Sequence, residues 1–361
     1  MTIGEVAATV AATAARVVVT GPARLHLGFF DPSGSLGRSF GGIGVVINGP
    51  QTEVELGFKP IGRSRHSRID AAIDAGADLC YERNAADARH ALLRARAYLE
   101  QLQISTARRE PLELKLHSAL PAHAGLGSGT QLALAVGRAF MELHGLRRTS
   151  SELAALLGRG QRSGVGIAGF EHGGVIVDGG PSSAQRAAPI LARFEFPAAW
   201  RVLLVIDPAS SGLHGDAERA ALANLPSFPR TAAAHLCHLI LMRVMPALAE
   251  ADFSPFATGI TELQQTIGAH FAPAQGGDIY TSSAVARLLR WTQSVACAAV
   301  GQSSWGPTGF AILPCQAEAE ELVRRARLAG VVDPRLQLQI VTGRNLGARV
   351  RWPAAVIDAR H

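Results

Sequence analysis

The sequence has few cysteines and no Walker lysine, and each shortage excludes a class of site. Its 4 cysteines lie far apart and form no Cys-x-x-Cys pair. This argues against a disulfide framework and a cysteine zinc site, and we predict buried free thiols. His235, Cys237 and His238 stand close in sequence, but adjacent helical residues point in different directions, which favours packing over metal ligation. No Gly-Lys-Ser or Gly-Lys-Thr occurs, so a P-loop nucleoside triphosphatase is excluded.

Long hydrophobic runs are also missing. The best candidate, LCHLILMRVMPALA, is interrupted by His238, Arg243 and Pro246, whereas a bilayer span needs roughly 20 apolar residues. The first fifteen residues carry Glu5 and lack the basic start of a signal peptide. We therefore predict no membrane partner and a cytoplasmic location.

Lysine is nearly absent, although the formal net charge is +6. Lys59 and Lys115 are the two lysines, and arginine supplies the rest of the 35 basic residues. This bias can reflect gene composition, and the chain shows no RNP-like aromatic pattern or dense basic stripe. An RNA-binding module is thus the weaker alternative, and we predict no nucleic-acid partner. Locally, an arginine fork can hold phosphate or carboxylate through two parallel hydrogen bonds.

The chain does contain enough apolar sequence for two domains. Its 361 residues are 48% hydrophobic, and a domain usually has roughly 100–200 residues. Strand-like runs separated by Gly, Pro, Asn and Asp turns fill the first sixty residues, a helical pattern follows over 85–103, and ELKLHSAL alternates as a strand. The second half predicts helices around 215–225, 231–250, 253–270 and 281–297. We predict an α+β protein with domains 1–190 and 191–361.

A glycine-rich turn that runs directly into an apolar helix is the strongest motif. It consists of Gly125, Leu126, Gly127, Ser128, Gly129 and Thr130. Glycines let the backbone approach a ligand closely, and the free N–H groups and dipole of a helix start attract phosphate. The two hydroxyls suit phosphate oxygens or Mg²⁺. We predict an anion cradle; an ordinary glycine turn before a capped helix is the alternative.

A formal G-x-G-x-x-G also occurs, at 164–169. It leads into Phe170, Glu171 and His172, where we predict no helix, so a dinucleotide-binding fold is disfavoured.

Three segments together resemble the motifs of the GHMP kinase superfamily: GPAR at 21–24, PAHAGLGSGTQLALA and GQSSWGPTGFA. Within that superfamily, ARLHLGFFD, GGIGVVI, GLHG and GQSSWGP resemble the β-ribofuranosylaminobenzene 5'-phosphate synthases of methanopterin biosynthesis. The resemblance covers most of the chain. It implies an S5-like N-terminal domain with the phosphate loop, a ferredoxin-like C-terminal domain and a ligand cleft between them.

Two positions depart from the kinase pattern. Mevalonate-type kinases place a catalytic aspartate after a Ser-Gly-hydrophobic turn, where this chain has Gly166, and the second serine of their loop is Gly129 here. A phosphate cradle without the kinase carboxylate indicates different chemistry. An ATP-dependent small-molecule kinase of the same superfamily is the alternative.

The resemblance implies a decarboxylating phosphoribosyl transfer. 5-Phosphoribosyl 1-diphosphate would condense with 4-aminobenzoate, or with a 4-hydroxybenzoate-like acceptor, and release diphosphate and CO₂. The departing charge calls for Mg²⁺, backbone N–H groups and cations. Since CO₂ leaves instead of a proton, little general-base catalysis is needed, which agrees with Gly166. A homodimer is the default assembly.

Candidate catalytic side chains come from several segments. Arg24 and His26 alternate onto one face of a strand and are predicted to contact the benzoate carboxylate or a phosphate. Arg162 lies in the loop where kinases place catalytic groups, and His172 is a candidate acid or hydrogen-bond donor. His214 is predicted to project into the cleft. For each residue alone, a structural role is the alternative.

The remaining candidates bind metal or ligand. Ser128 and Asp216 are predicted to ligate Mg²⁺, although Asp216 can instead cap a helix. Ser303 and Ser304 are predicted donors near a phosphate, and Trp305 is predicted to stack on the aromatic substrate, with plain packing as the alternative.

Overall fold

The computed structural model describes residues 15–59, 69–78, 84–182, 188–213 and 215–353. Its strands are β1 Arg16–Asp31, β2 Phe40–Phe58, β3 Ile69–Asp78, β4 Leu112–Ser118, β5 Val175–Asp178, β6 Ile190–Phe194, β7 Arg201–Ile206, β8 Ala299–Gln302, β9 Gly309–Leu313, β10 Gln337–Val341 and β11 Arg349–Arg351. Several central strands are buried on both faces: along β7, Leu204 packs into one apolar cluster and Leu203 and Val205 into another.

The helices follow the periodic segments of the sequence. They are α1 Asn84–Thr106, α2 Ser128–Leu143, α3 Ser150–Leu156, α4 Val165–His172, α5 Gly215–Asn224, α6 Arg230–Leu239, α7 Met245–Glu250, α8 Phe253–Phe271, α9 Ser283–Val295 and α10 Gln316–Leu328. A π-helical turn, Ile240–Val244, joins α6 to α7, and a 3₁₀ turn, Ala272–Gln275, follows α8. The four helices predicted in the second half are confirmed within a few residues.

The first sheet contains seven strands. Its main order is β11-β1-β2-β4-β3, and β5 joins β2 and carries β6. The β3–β4 pair is parallel, and the other pairs are antiparallel. The predicted turns inside the first two strands are wrong, because β1 and β2 each run on without a break. Register shifts at Pro22/Arg24 and His26/Gly28 absorb the irregular residues as bulges.

The second sheet has the antiparallel order β10-β7-β9-β8. Leu25 and Leu27 of β1 share one apolar cluster with Leu204, Phe256 and Ile260 from the second half, so the two sheets have a common core. Two strands beyond residue 190, β6 and β11, pair into the first sheet. The domain boundary near residue 190 stays a prediction, and the chain crosses between the halves more than once.

The segment Arg230–Glu250 is long and apolar enough to cross a membrane by length and composition alone. Pro246 does not interrupt it, contrary to the sequence prediction, because it follows the π-helical turn and lies in the first turn of α7, where proline is tolerated. Leu236, Ile240 and Val244 pack into the shared core. A core helix of a soluble protein meets the same criterion, so the segment is weak support for a membrane span.

The cysteines differ from their predicted state. Cys237 and Cys297 are free as predicted but exposed, so the prediction of buried thiols is wrong for both. Cys237 follows the buried Leu236 on the outward face of α6, and Cys297 lies in the short connection between α9 and β8. Cys80 lies outside the described residues.

Candidate active site

The glycine loop connects β4 to α2, as predicted. Gly125 and Gly127 have φ of 85° and 83°, in the left-handed region that favours glycine. A Cβ at Gly125 would overlap the carbonyl oxygen of Ser303, so the loop packs directly against the backbone of the third motif. Two of the three resembling segments are therefore in contact.

The start of α2 presents free donors. Gly127 is the N-cap and supplies no side-chain cap. The first helical hydrogen bonds run from the N–H groups of Thr130 and Gln131 to the Gly127 carbonyl, both at 3.0 Å. The N–H groups of Ser128 and Gly129 precede those bonds and are the donors that a helix start offers to an anion.

Arg24 lies against this loop, which brings a predicted residue to the cradle. Its Nη1 donates to the Gly125 carbonyl at 2.6 Å, and its backbone N–H donates to Leu126 at 3.2 Å. A Cβ at Gly127 would lie 3.2 Å from the Arg24 Cγ, so the guanidinium stem runs alongside the loop. Burial, and then the charge of Arg159, lower the pKa of Arg24 to about 10, which leaves it a cation at neutral pH.

His26 is a neutral donor buried beneath the loop. Its ring is almost fully enclosed, at 3% exposure. The Gly28 N–H donates to its Nδ1 at 3.3 Å, which assigns the proton to Nε2, and that atom is buried with no partner among the described residues. Burial, and then the charge of Arg24, lower the pKa of His26 to about 3. The ring is therefore uncharged at neutral pH.

Ser303 links three segments of the site. Its Oγ accepts from the His26 backbone N–H at 2.9 Å and donates to the Gly125 carbonyl at 2.6 Å. This hydroxyl is committed to holding β1, the loop and the third motif together. Ser304 is exposed at φ 54°, and the hydroxyl of the fully buried Thr308 has no partner among the described residues.

Two arginines outside all three motifs converge on Gly129. Arg94 comes from α1, and Arg159 follows α3. A Cβ at Gly129 would overlap the Arg159 guanidinium and lie 2.9 Å from Nη2 of Arg94. Sequence reasoning missed both, because an arginine on a helix or in a polar loop looks like an ordinary surface charge. The glycine at 129 was the available signal, since it leaves room for a neighbouring group.

Arg162 connects the two halves of the chain. Its Nη1 forms an ion pair with Glu218 of α5. The neighbouring Ser163 Oγ donates to the buried Asp178 at 2.8 Å, and Asp178 also accepts from the Gly164 N–H at 2.9 Å. Asp178, which the sequence analysis did not single out, therefore fixes the start of α4. Burial raises the pKa of Asp178, although these hydrogen bonds oppose the shift.

The segment 164–169 is helical, contrary to the sequence prediction. Residues Val165–His172 form α4, so this G-x-G-x-x-G is not a nucleotide-binding turn. Gly166 lies against the loop helix, where its Cβ would be 3.3 Å from Cγ2 of Thr130. The side of α4 that faces the cradle thus carries a glycine where a kinase carboxylate would be expected.

Two predicted residues, His172 and Asp216, are not brought to the cradle. His172 is exposed at the far end of α4. Asp216 is 91% exposed in its side chain and pairs with Arg219 on the same helix. His214 lies outside the described residues.

Among the described residues, few oxygen donors lie near the start of α2. Ser128 lines a small pocket together with Asp87, His90 and Arg94. Within the described ranges, no group of three or more His, Cys, Asp or Glu side chains could hold a metal ion. A metal here would depend on one carboxylate, one hydroxyl and the ligand's own oxygens.

An aromatic cavity of about 420 Å³ adjoins the third motif. Phe40, His270 and Phe271 line it. The Phe271 ring lies 4.8 Å from the Trp305 ring, measured between centroids. Phe29 lies between the cavity and His26, because its ring centroid is 5.0 Å from that of Phe40 and 4.3 Å from that of His26.

Leu222 and Leu225, at the C-terminal end of α5, line the same cavity. Glu218 of that helix forms an ion pair with Arg162. The helix α5 therefore contacts both regions: Glu218 pairs with Arg162 beside the cationic cradle, and the C-terminal end of α5 lines the aromatic cavity.

Comparison with known proteins agrees with this architecture. A family model of the GHMP kinases N-terminal domain matches residues 90–175, and one of the GHMP kinases C-terminal domain matches 244–331. The beta-ribofuranosylphenol 5'-phosphate synthase of Archaeoglobus fulgidus is 35% identical over 81% of this chain and 86% of its own. The enzyme of that name from Methanothermobacter thermautotrophicus is 32% identical over 82% and 88%, respectively.

Solved structures show the same fold at low identity. The Streptococcus pneumoniae phosphomevalonate kinase matches with a TM-score of 0.63 and 13% identity, over 91% of this chain and 100% of its own. The Staphylococcus aureus mevalonate diphosphate decarboxylase matches with a TM-score of 0.60 and 12% identity, over 93% and 98%. These likenesses confirm the predicted α+β, two-part architecture.

Proposed function

Because the chain belongs to the family of beta-ribofuranosylphenol 5'-phosphate synthases, within the GHMP kinase superfamily, we propose that it is a decarboxylating phosphoribosyltransferase. The donor is 5-phosphoribosyl 1-diphosphate, and the acceptor is a 4-substituted benzoate. The relatives' name gives a phenol product, which makes 4-hydroxybenzoate the first acceptor to test and 4-aminobenzoate the second. The product would serve methanopterin-type cofactor biosynthesis in the cytoplasm.

One observation carries this proposal: α5 pairs with Arg162 beside the cationic glycine loop and also lines the aromatic cavity, while the side of α4 that faces the loop carries Gly166 where a kinase carboxylate would be expected. A phosphorylated sugar and a benzene ring are the two ligands that these two regions would accept. Transfer of phosphate to a hydroxyl would instead call for a base beside the acceptor.

The reaction balances without a proton acceptor. The bond between the ribose C1 and the diphosphate oxygen breaks, and diphosphate leaves with the electron pair. The ring carbon that bears the carboxylate bonds to C1. The electrons of its bond to the carboxyl carbon then return to the ring as CO₂ departs. The site must therefore orient two anions and stabilise the charge that develops in the transition state. Orientation alone can lower the activation barrier by roughly 7–11 kcal/mol.

The residues divide between these tasks. We assign Arg24 and the N–H groups of Ser128 and Gly129 to the diphosphate, because they lie together at the start of α2. His26 offers one neutral N–H in a buried setting, and its low pKa makes it a hydrogen-bond donor and not an acid catalyst. The acceptor ring would stack beside Phe271 and Trp305.

Mg²⁺ fits this site with a modest protein contribution. Mg²⁺ in phosphate-binding sites usually takes one or two carboxylates together with substrate oxygens, and Asp87 and Ser128 line one pocket. When bound, the ion would neutralise part of the diphosphate charge. The exposed Asp216, paired with Arg219, is the weaker of the predicted ligands.

Mass spectrometry of the product tests the proposal. Purified protein is incubated with Mg²⁺, 5-phosphoribosyl 1-diphosphate and each benzoate in turn, and ATP with each acceptor serves as the kinase control. We expect a riboside phosphate whose mass lacks the carboxyl group, formed from the phosphoribosyl donor. A phosphorylated acceptor formed from ATP, with no riboside, would instead show a kinase.

A further inference from the structure

Three guanidinium groups from three separate elements converge around the start of α2. Arg24 comes from β1, Arg94 from α1, and Arg159 from the loop after α3. Arg94 and Arg159 reach Gly129 from the side of the helix, whereas Arg24 runs along Gly127. The charges of Arg24 and Arg159 are close enough for Arg159 to lower the pKa of Arg24. Like charges brought together in this way repel each other.

Among the described residues, the neighbouring acids do not balance this charge. Glu218 pairs with Arg162, and Arg94 donates to the Tyr98 hydroxyl at 2.8 Å. Asp87 lines the pocket beside Arg94 and contributes a single negative charge.

Arg159 carries the strongest sign of a missing partner. Its Nε is buried and has no hydrogen-bond partner within the described part of the chain. Burial lowers the pKa of Arg159, and the charges of Arg94 and Arg162 lower it further, although Tyr98 and Glu218 oppose the shift. A half-buried cation whose enclosed Nε has no acceptor among the described residues is unfavourable unless an anion completes it.

We propose that Arg94 and Arg159 form a clamp for the diphosphate group of the donor, on the flank of the loop helix. The N–H groups at the start of α2 would hold one phosphoryl group, and the two guanidinium forks would hold the other. The inference rests on the proposed function for the identity of the ligand. Gly129 is required because a side chain there would displace Arg159.

Titration calorimetry with inorganic diphosphate tests the clamp without any turnover. The variants are Arg94→Ala and Arg159→Ala, each measured with and without Mg²⁺. Arg96→Ala is the matched control, since Arg96 lies on the same helix, is exposed and pairs with Glu100. We expect each clamp variant to bind diphosphate about 10- to 100-fold more weakly, because a hydrogen bond to a charged group is lost, and the control to match the wild type.

Two further variants, with Gly137→Ala as a matched control, separate a displaced Arg159 from a general loss of structure. Arg159→Lys keeps the charge but loses the fork, and we expect an intermediate affinity. Gly129→Ala should weaken diphosphate binding by moving Arg159, whereas Gly137→Ala, in the same helix with ordinary contact to Leu153, should not. Wild-type affinity in Arg94→Ala and Arg159→Ala would overturn the clamp.

The outcomes distinguish this inference from the proposed function. If the wild type forms riboside phosphate and both arginine variants keep its diphosphate affinity and donor KM, the clamp is wrong and the function stands. If the arginines bind diphosphate but no riboside forms with either benzoate, the function is wrong and the clamp serves another diphosphate ester.

Discussion

Arg24 and His26 lie two residues apart on one strand, yet their surroundings give the two side chains different charge states at neutral pH. Arg24 stays a cation and bonds the loop backbone, whereas His26 is held neutral beneath it. Strand alternation predicted that both side chains would share a face. It could not predict their charges, because burial and the position of Arg159 follow from the fold.

Replacing Arg24 by alanine should reduce kcat/KM by about 100-fold, the scale seen when one preorganised donor to a developing anion is removed. Ser128→Ala should also weaken turnover, by about 10-fold, through the loss of one hydroxyl contact. Steady-state kinetics on folded variants measures both effects.

Arg16→Ala provides the control for Arg24. Arg16 lies on the same strand, roughly 25 Å away at about 3.3 Å per residue, and pairs with Glu55 and Glu113. Turnover in this variant should match the wild type. Wild-type turnover in Arg24→Ala as well would remove Arg24 from the site.

The burial of His26 predicts an acid-dependent loss of stability. Its folded-state pKa of about 3 lies below its ordinary value of 6.5, so the unfolded chain binds the proton first. The stability that depends on neutral His26 is complete above pH 6.5 and is lost as pH falls from 6.5 toward 3. In that window the free energy of unfolding should decline up to about 1.4 kcal/mol per pH unit more steeply than in His26→Gln.

Urea titrations of the wild type and His26→Gln at several pH values provide the measurement. Parallel pH dependences in the two proteins would show that His26 is not buried in its neutral form.

At the scale of elements, the glycine loop depends on its contact with the third motif. Gly125→Ala should impair both stability and turnover, because a left-handed φ disfavours alanine by about 1–2 kcal/mol and the new methyl group would overlap the Ser303 carbonyl. Gly145→Ala shares the left-handed φ, at 62°, but meets no atom within 4 Å.

Thermal unfolding and kinetics of the two variants separate these causes. Gly145→Ala should be destabilised by a similar amount, because alanine is disfavoured at its left-handed φ, but its turnover should match the wild type. Equal turnover in both variants would mean that the contact between the loop and Ser303 does not matter for the reaction.

The sequence predicted the long helices better than the short helix α4 or the bounds of the strands, for a physical reason. A helix repeats its apolar face every three to four residues, so α8 and α9 could be placed within a few residues. A strand can carry a proline or glycine in a bulge and continue, as β1 does at Pro22. The arginine clamp was missed because Arg94 and Arg159 meet Gly129 only through tertiary packing.

At the scale of the whole molecule, the two halves share one core, and β11 returns to pair with β1. We therefore expect a single cooperative unfolding transition. Of the 4 tryptophans, Trp200, Trp291 and Trp305 lie in the second half, and Trp352 directly follows β11 of the first sheet. Tryptophan fluorescence therefore reports mainly the second half, whereas far-ultraviolet circular dichroism reports both. Coincident urea transitions are predicted. Separate midpoints would show that the halves unfold independently.

Joint release of diphosphate and CO₂ distinguishes the proposed transfer from a kinase reaction, and phosphorus NMR with parallel CO₂ detection measures both products. The protein is incubated with Mg²⁺, 5-phosphoribosyl 1-diphosphate and carboxyl-¹³C-labelled 4-hydroxybenzoate or 4-aminobenzoate. We expect diphosphate and labelled CO₂ to appear in equal amounts, and both to depend on the benzoate. Diphosphate release without CO₂, or ATP consumption on addition of a hydroxyl substrate in place of this reaction, would contradict the proposed transfer.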